Sequence, residues 1–422
     1  MKHVILGNGP AGVIAAEAIR RYAPADEIVL IGDEPEPPYS RMAIPYLLSG
    51  SIAEKGTHLR KGADHFKRLR IEMRCDRAAR VRPPARLVEL EKGGELHFDR
   101  LLIATGSHPA RLPTPGADSP GVHPCWTLAD ARQIMALAGP KARVVQIGAG
   151  FIGCIILQAL ADRGVSLSVV EMGDRMVPRM MGQGAGGMIK RWVESKGIKV
   201  YTSTRVDAIA REASGALAVS LSSGERAMAD LVISATGVKP NIEFLAGSGI
   251  ACGQGVLADA QLRTSVDGIY AAGDCAEAFD ATLGRHVVSA IQPNAADQAL
   301  CAARNMVGRT TSLQCVTQIN VPDTLGLISS SFGNWEGVAG GEHVQRQDDP
   351  NYRFIRLEFD GDRLAGANTI GLTEHVGVLR GLIQSRVALG AWKRKLMDDP
   401  LALNEAYLAC AQAQSAWGRK AA

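Results

Sequence analysis

The chain opens with an apolar run, Val4-Ile5-Leu6, that stops at Gly7, and a second run, Ile28-Val29-Leu30-Ile31, follows after a stretch of helical periodicity. Short apolar runs bounded by glycine predict buried parallel strands, here at Lys2–Leu6 and Glu27–Ile31 with a helix over Ala11–Arg21 between them. The plan recurs with strands at Val144–Ile147 and Ser166–Val170 on either side of a helical stretch. Between these units, Glu34-Pro35-Glu36-Pro37-Pro38-Tyr39-Ser40 can continue neither element and predicts a loop. Three further apolar runs end in glycine turns: Leu101 to Gly106, Asp230 to Gly237, and Gly268 to Asp274. The proline-rich piece from Pro109 to Pro124 reads as a connector, and Pro293 suits the first position of a helix running to Val307. From about residue 311 the pattern changes to strand-like runs, Tyr352–Phe359 and Arg363–Thr369, and then to helices.

The two strand-to-helix junctions carry the same glycine spacing, Gly7-Asn8-Gly9-Pro10-Ala11-Gly12 and Gly148-Ala149-Gly150-Phe151-Ile152-Gly153. In this pattern the first glycine allows the tight turn, the second lets a pyrophosphate approach the backbone, and the third lets helix and sheet pack closely. The phosphates rest on the partial positive charge of a helix N-terminus. Each copy is followed by an acid at the end of the next strand, Asp33 and Glu171, placed to accept from a ribose. Two dinucleotides are implied. The expected fold is α/β, with two Rossmann-like three-layer dinucleotide-binding domains and a C-terminal α+β domain. The first occupies residues 1–114 and 239–310, the second is inserted at 115–238, and the third is 311–422.

Composition narrows the classes. The 422 residues are 46% hydrophobic, enough for packed cores in two or three domains. The 47 basic and 43 acidic residues leave a net charge of +4 spread along the chain, which argues against a nucleic-acid surface. No apolar run reaches the roughly 18 residues of a spanning helix. A strand beginning at Lys2 leaves no room for a removable signal peptide, so the expected location is cytoplasmic. The eight cysteines, at 75, 125, 154, 252, 275, 301, 315 and 410, show no CxxC and no metal-ligand spacing.

Taken together, the two fingerprints, the Ala104-Thr105-Gly106 and Ala235-Thr236-Gly237 turns, Tyr270-Ala271-Ala272-Gly273-Asp274 and the C-terminal domain resemble the FAD/NAD(P)-dependent pyridine nucleotide oxidoreductase family. Within it the chain looks most like the three-domain NADH-dependent ferredoxin, rubredoxin and nitrite-reductase-like reductases, and the related apoptosis-inducing factor. The resemblance implies that Gly7, Gly9 and Gly12, with Pro10 and Ala11, take the FAD pyrophosphate and that Asp33 accepts from its adenosine ribose. Arg41 falls where the family has a cation near that phosphate, its plain alternative being a solvated loop charge. Asp274, beside Gly273, resembles the aspartate that binds the ribityl hydroxyls. Ala78, Thr105 and Gly106 are further expected FAD contacts. Asn294 and Ala295 open the helix that points at the flavin in the family, or else form only the first turn of a packing helix. Gly148, Gly150, Ile152, Gly153 and Gly237 are expected to hold the nicotinamide dinucleotide, and Glu171 favours NADH because an acid there repels a 2′-phosphate. Arg175, four residues on, leaves NADPH open.

What is absent shapes the expected chemistry. In the cysteine-using branch of the family the redox residue stands three positions before Pro45-Tyr46, where this chain has Met42. A thioether forms no thiolate or mixed disulfide, so hydride is expected to reach the flavin and leave from it. Tyr46 and Ile155 replace a lysine–glutamate pair found in ferredoxin-reductase-like members, and losing both avoids a buried unpaired charge. Cys154 reads as a buried structural thiol or a neighbour of the nicotinamide. Three readings follow. The first is an NADH dehydrogenase flavoprotein serving a separate acceptor such as a ferredoxin- or rubredoxin-type iron–sulfur protein. The second is a flavin oxidase or reductase using oxygen, a quinone or another small acceptor, and the third is an NADH-sensing interaction protein. The C-terminal domain resembles the family's interface domain and leaves a homodimer open. Trp335, Tyr407 and Trp417 are left to a core, a flavin cover or a partner.

Overall fold

The computed structural model describes residues 1–313 and 316–414. Cys315 and Trp417 lie outside the described residues. The chain divides into two compact units, Met1–Pro109 with Val238–Val316, and Ala110–Gly237 with Thr317–Ala422.

The first unit is built on a five-stranded parallel sheet in the order Ile269–Ala271, Arg100–Ile103, Lys2–Leu6, Glu27–Gly32, Ile71–Cys75. Strand side chains alternate between faces, and the core follows that alternation. Ile5, Ile28, Leu30 and Leu102 pack towards the helices Pro10–Tyr22 and Gln292–Met306. Their neighbours Val4, Leu6, Val29, Ile31, Leu101 and Ile103 pack with Val81, Val88, Leu90 and Leu96 of a three-stranded antiparallel sheet. That makes three layers, as the glycine pattern predicts. The two helices meet through small residues, Ala11 and Ala295 lying where a Cβ on Gly273 would touch both, at 3.2 and 3.7 Å.

The second unit repeats the plan. Its parallel sheet runs Lys199–Tyr201, Ser166–Val170, Arg143–Ile147, Leu231–Ser234, Val122–Pro124, with a three-stranded antiparallel sheet packed on one face. The last strand corrects the connector expected from Pro109 to Pro124. Val122–Pro124 joins the sheet at its edge, where proline's missing N–H is tolerated. The predicted helix from Pro293 to Val307 begins and ends one residue earlier, at Gln292 and Met306.

The same unit holds an antiparallel sheet of Ile319–Asn320, Leu327–Gly333, Arg363–Ile370, Arg353–Asp360 and Glu342–Asp348, with Asp323–Thr324 paired at the start of Leu327–Gly333. Helices Val376–Gln384, Ala391–Asp398 and Leu403–Gln414 cover one face through Phe332, Leu357, Leu379, Leu382 and Leu403. Tyr407 packs against this core. Among the described residues no helix is long and apolar enough to cross a membrane.

Candidate functional site

The two glycine turns are near copies. Gly7 and Gly148 sit at φ +110° and +97°, conformations that side chains rarely adopt. A Cβ on Gly7 would stand 2.0 Å from the Ala104 carbonyl oxygen, and one on Gly148 would stand 2.4 Å from that of Ala235. The third glycines are equally constrained, Gly12 against the Gly7 carbonyl oxygen at 1.8 Å and Gly153 against that of Gly148 at 2.5 Å. The middle glycines differ in kind. Neither Gly9 nor Gly150 has anything within 4 Å of an added Cβ. The open side of each turn is therefore where a ligand can approach the backbone.

Both middle glycines are the N-caps of their helices, Pro10–Tyr22 and Phe151–Asp162, with no side-chain cap and no acid in the first turn. Helix Gln292–Met306 starts the same way after Ile291. By contrast, helix Leu128–Leu137 closes its N-terminus with a reciprocal Thr127–Asp130 capping box. Helix starts with no capping side chain and no acid in the first turn attract anions.

In the first unit a cavity of about 720 Å³ is lined by Gly7, Asp33, Ala78, Thr105, His108, Asn241 and Phe244. Asp33 is exposed at its wall, and Ala78 is buried. Asn241, which the sequence pattern does not single out, clamps the adjoining turn. Its Nδ2 donates to the Thr105 carbonyl at 2.8 Å, its carbonyl accepts from Thr105 Oγ1 at 2.7 Å, and its N–H donates to the Gly106 carbonyl at 2.9 Å. Gly106, at φ +68°, has open space where a Cβ would be.

Arg41 is half-buried rather than a solvated loop charge. Its Nη2 pairs with Glu34 at 2.8 Å, and its Nη1 donates to the Ser107 carbonyl at 3.1 Å. Burial works against its charge, but Glu34 and Tyr39 more than offset this and hold the guanidinium pKa above its usual value. Ser107 Oγ continues the chain to Asp274 Oδ2 at 3.0 Å. Burial pushes the Asp274 carboxyl up, opposed by the Ser107 bond and the Arg41 charge. Next to it, Gly273 N–H donates to Gln298 Oε1 at 2.7 Å, which leaves the buried Gln298 Nε2 with no partner. Asn294 Nδ2 donates to Ser289 Oγ at 2.7 Å.

In the second unit Glu171 is half-buried and accepts from two backbone N–H groups, those of Ala149 and Gly173, each at 2.7 Å. Arg175 is committed to its own loop, donating to the Met181 and Pro178 carbonyls at 2.8 and 3.2 Å and pairing with Asp174 at 2.6 Å. Gly237, at φ +109°, lies near the exposed Arg179, whose Nη1 is 3.8 Å from the position of an added Cβ. Ile152 is half-buried in the first turn of its helix. Cys154 is fully buried and burial pushes its thiol up to about 12, which makes it a packing residue. Met42 and Tyr46 are exposed, at 47% and 61%, and Ile155 is half-buried.

These features fit two dinucleotides. Each glycine turn has an open cradle at an uncapped helix start, the first beside a cavity of suitable size and an unpartnered buried amide.

The sequence pattern described as pyridine nucleotide-disulphide oxidoreductase matches residues 1–299. The epsilon subunit of NADH-dependent phenylglyoxylate dehydrogenase from Aromatoleum evansii is 30% identical over 406 residues, 95% of this chain and 96% of the relative. Rhodocoxin reductase from Rhodococcus erythropolis is 33% identical over 374 residues, 88% of this chain and 86% of the relative. The solved NADH:rubredoxin oxidoreductase of Clostridium acetobutylicum superposes with a TM-score of 0.75 at 25% identity, covering 92% of this chain and 96% of that one. With a glycine-turn geometry that appears twice and relatives that match it nearly end to end, the chain belongs to the pyridine nucleotide-disulphide oxidoreductase family and is an oxidoreductase that uses FAD and NAD(H).

Proposed function

We propose that the chain is an NADH-dependent flavoprotein reductase whose electrons go to a separate iron–sulfur protein of the ferredoxin or rubredoxin type. The observation that carries this is the pair of open glycine cradles, one in each unit, each at an uncapped helix start. Relatives named as rhodocoxin reductase and NADH:rubredoxin oxidoreductase support the choice of acceptor. FAD, when bound, would supply the redox chemistry of accepting hydride and releasing electrons.

The chain's own residues bind and orient. On this reading Gly7, Gly9, Pro10, Ala11 and Gly12 take the FAD pyrophosphate, with Asp33 on the ribose, Ala78 and Thr105 along the cavity wall and Gly106 next in the turn. The Glu34–Arg41–Ser107–Asp274 chain supports the middle of the cofactor, with Gly273, Asn294 and Ala295 beside it. The start of Gln292–Met306, with no acid in its first turn, favours negative charge nearby, which tunes the cofactor without an acid or base. Gly148, Gly150, Ile152, Gly153 and Gly237 hold the nicotinamide dinucleotide. Glu171 selects NADH, and Arg175 is tied to its own loop. On this reading the FAD domain is residues 1–114 and 239–310, with the NAD(H) domain, 115–238, inserted between them in the chain.

Anaerobic mixing of the FAD-loaded protein with NADH tests this reading. Rapid loss of the oxidised-flavin absorbance, followed by its return on adding an oxidised ferredoxin or rubredoxin, is the expected result. Slow or absent bleaching sinks it. Fast bleaching that only oxygen reverses points to an oxidase, and return only with a co-purifying larger dehydrogenase points to a subunit role.

A further inference from the structure

We infer that Asn368, on a strand of the C-terminal sheet, is a positioning residue for nicotinamide-nucleotide binding and selectivity, acting through the loop that follows Glu171. The inference rests on the reading above that Glu171 and the second glycine turn hold NADH.

Asn368 is 1% exposed and uses both ends of its amide on that loop. Its Nδ2 donates to the Met180 carbonyl and its Oδ1 accepts from the Gly182 N–H, each at 2.9 Å. The loop is in turn bonded to the glycine turn. Val177 N–H donates to the Ala149 carbonyl at 2.8 Å, and the N–H of the same Ala149 is held by Glu171. Ala149 of the fingerprint is thus held at both its N–H and its carbonyl, by Glu171 and by the loop that Asn368 anchors.

That segment is strained. Val177 lies at φ +50°, where a β-branched side chain is disfavoured, and such a conformation persists only when the surroundings over-determine it. The restraints are identifiable: Met180 and Met181 N–H groups on the Val177 carbonyl, Arg175 on the Met181 and Pro178 carbonyls, and Asn368 on Met180 and Gly182. A side chain that serves Met180 and Gly182 together must both donate and accept, as the Asn368 amide does, because one partner is an acceptor and the other a donor. Truncating it leaves two backbone groups unpaired and lets Val177 relax towards ordinary φ. The Val177–Ala149 bond and the Glu171 carboxylate then lose their fixed positions. The C-terminal sheet thereby sets nucleotide affinity through this loop.

The test uses the FAD-loaded full chain with Asn368→Ala and Asn368→Asp. Asp keeps the bond from Gly182 but cannot donate to Met180. Ser330→Ala is the control for a weakened sheet, since Ser330 bonds Thr369 on the opposite face of the same strands. For Asn368→Ala the Kd and KM for NADH rise about tenfold while kcat moves less than about twofold. The NADH-over-NADPH preference falls, amide exchange at Val177 and Gly182 speeds up, and the FAD content is unchanged. Asn368→Asp falls between, and Ser330→Ala changes none of these. An unchanged Kd with only a lower Tm, an equal loss for both nucleotides, or loss of FAD overturns the inference. Glu171→Gln separates the two layers. If it weakens NADH binding and Asn368→Ala does not, the positioning role alone fails; if neither does, the nucleotide-site reading fails first.

Discussion

The two glycine turns have matching backbones but treat their acids in opposite ways. Their middle glycines adopt φ, ψ of −71°, −173° and −75°, −167°, and their first glycines donate to the carbonyls of Ile31 and Val170 at 2.8 Å each. After the first turn, Asn8 packs over Gly32, where an added Cβ would meet it at 2.2 Å, and Asp33 stays exposed at the cavity wall. After the second, Ala149 offers no such side chain, and Glu171 folds back onto the N–H of Ala149. A site whose acid stands ready in a formed cavity suits a resident cofactor. One whose acid is engaged with its own turn must give up or share that bond when the nucleotide arrives, which suits a ligand that comes and goes on every turnover. On the reading proposed above, the same strand–turn–helix device is set for retention in one unit and exchange in the other.

The largest test of the shared geometry is at the third glycines. Gly12→Ala places a Cβ 1.8 Å from a backbone oxygen and Gly153→Ala places one at 2.5 Å, with backbone as the obstacle in each case. Each is expected to destabilise its unit by about 2–4 kcal/mol, with Gly12→Ala the worse, as read from thermal unfolding. Equal and negligible losses would show that the turns are looser than described. The middle glycines break the comparison the other way. Gly9→Ala and Gly150→Ala meet nothing in the protein, so the fold is kept in both. The first should purify with little FAD, and the second with full FAD but a higher KM for NADH. The expected change is about tenfold or more in affinity, because a methyl group then occupies the approach of a pyrophosphate. Retained FAD in Gly9→Ala would remove that glycine from the cofactor site.

At the acids the difference itself is tested. Glu171→Gln removes a charged acceptor, and NADH affinity should fall about tenfold with NADPH little changed. Asp33→Asn should speed FAD release without altering the NADH KM, which dialysis followed by flavin absorbance reads. A matched effect of both variants on both ligands would erase the distinction between a retaining and an exchanging site.

The glycine turns were legible because their spacing encodes backbone geometry over six consecutive residues, and the strands because apolar runs are local. The partners that fix the site were not. Asn241 and Asn368 lie far along the chain from the turns and loop they hold, and a single asparagine carries no local sign of a distant carbonyl. Gln298 is one polar position on a packing helix, unremarkable until the Gly273 N–H is seen beside it. The short pair Ser107–Pro109 and Val238–Pro240 escaped because each strand is three residues long and ends in proline. Arg41 was placed by resemblance, but its burial and its bond to Ser107 depend on tertiary structure.

The smallest expected effect separates the two central strands. Each carries one buried polar side chain, His3 before the first turn and Gln146 before the second, and both are 0% exposed. Gln146 Nε2 donates to the Gly148 carbonyl at 3.0 Å and has no proton to gain across the physiological range. His3 Nε2 meets Asp26 at 2.8 Å, while Nδ1 has no partner, consistent with a neutral ring. Burial lowers the His3 pKa below its usual 6.5 despite the bond and charge of Asp26, which raise it. The unfolded chain therefore takes up a proton at this residue before the folded one does. Stability is full above the unfolded pKa and is lost as pH falls through it towards the folded pKa. Between pH 7.5 and 5 the Tm should fall, and His3→Gln should flatten that slope, whereas Gln146→Leu should lower the Tm by a similar amount at every pH. If His3→Gln leaves the slope as it was, the acid sensitivity belongs elsewhere and the two strands are electrostatically alike.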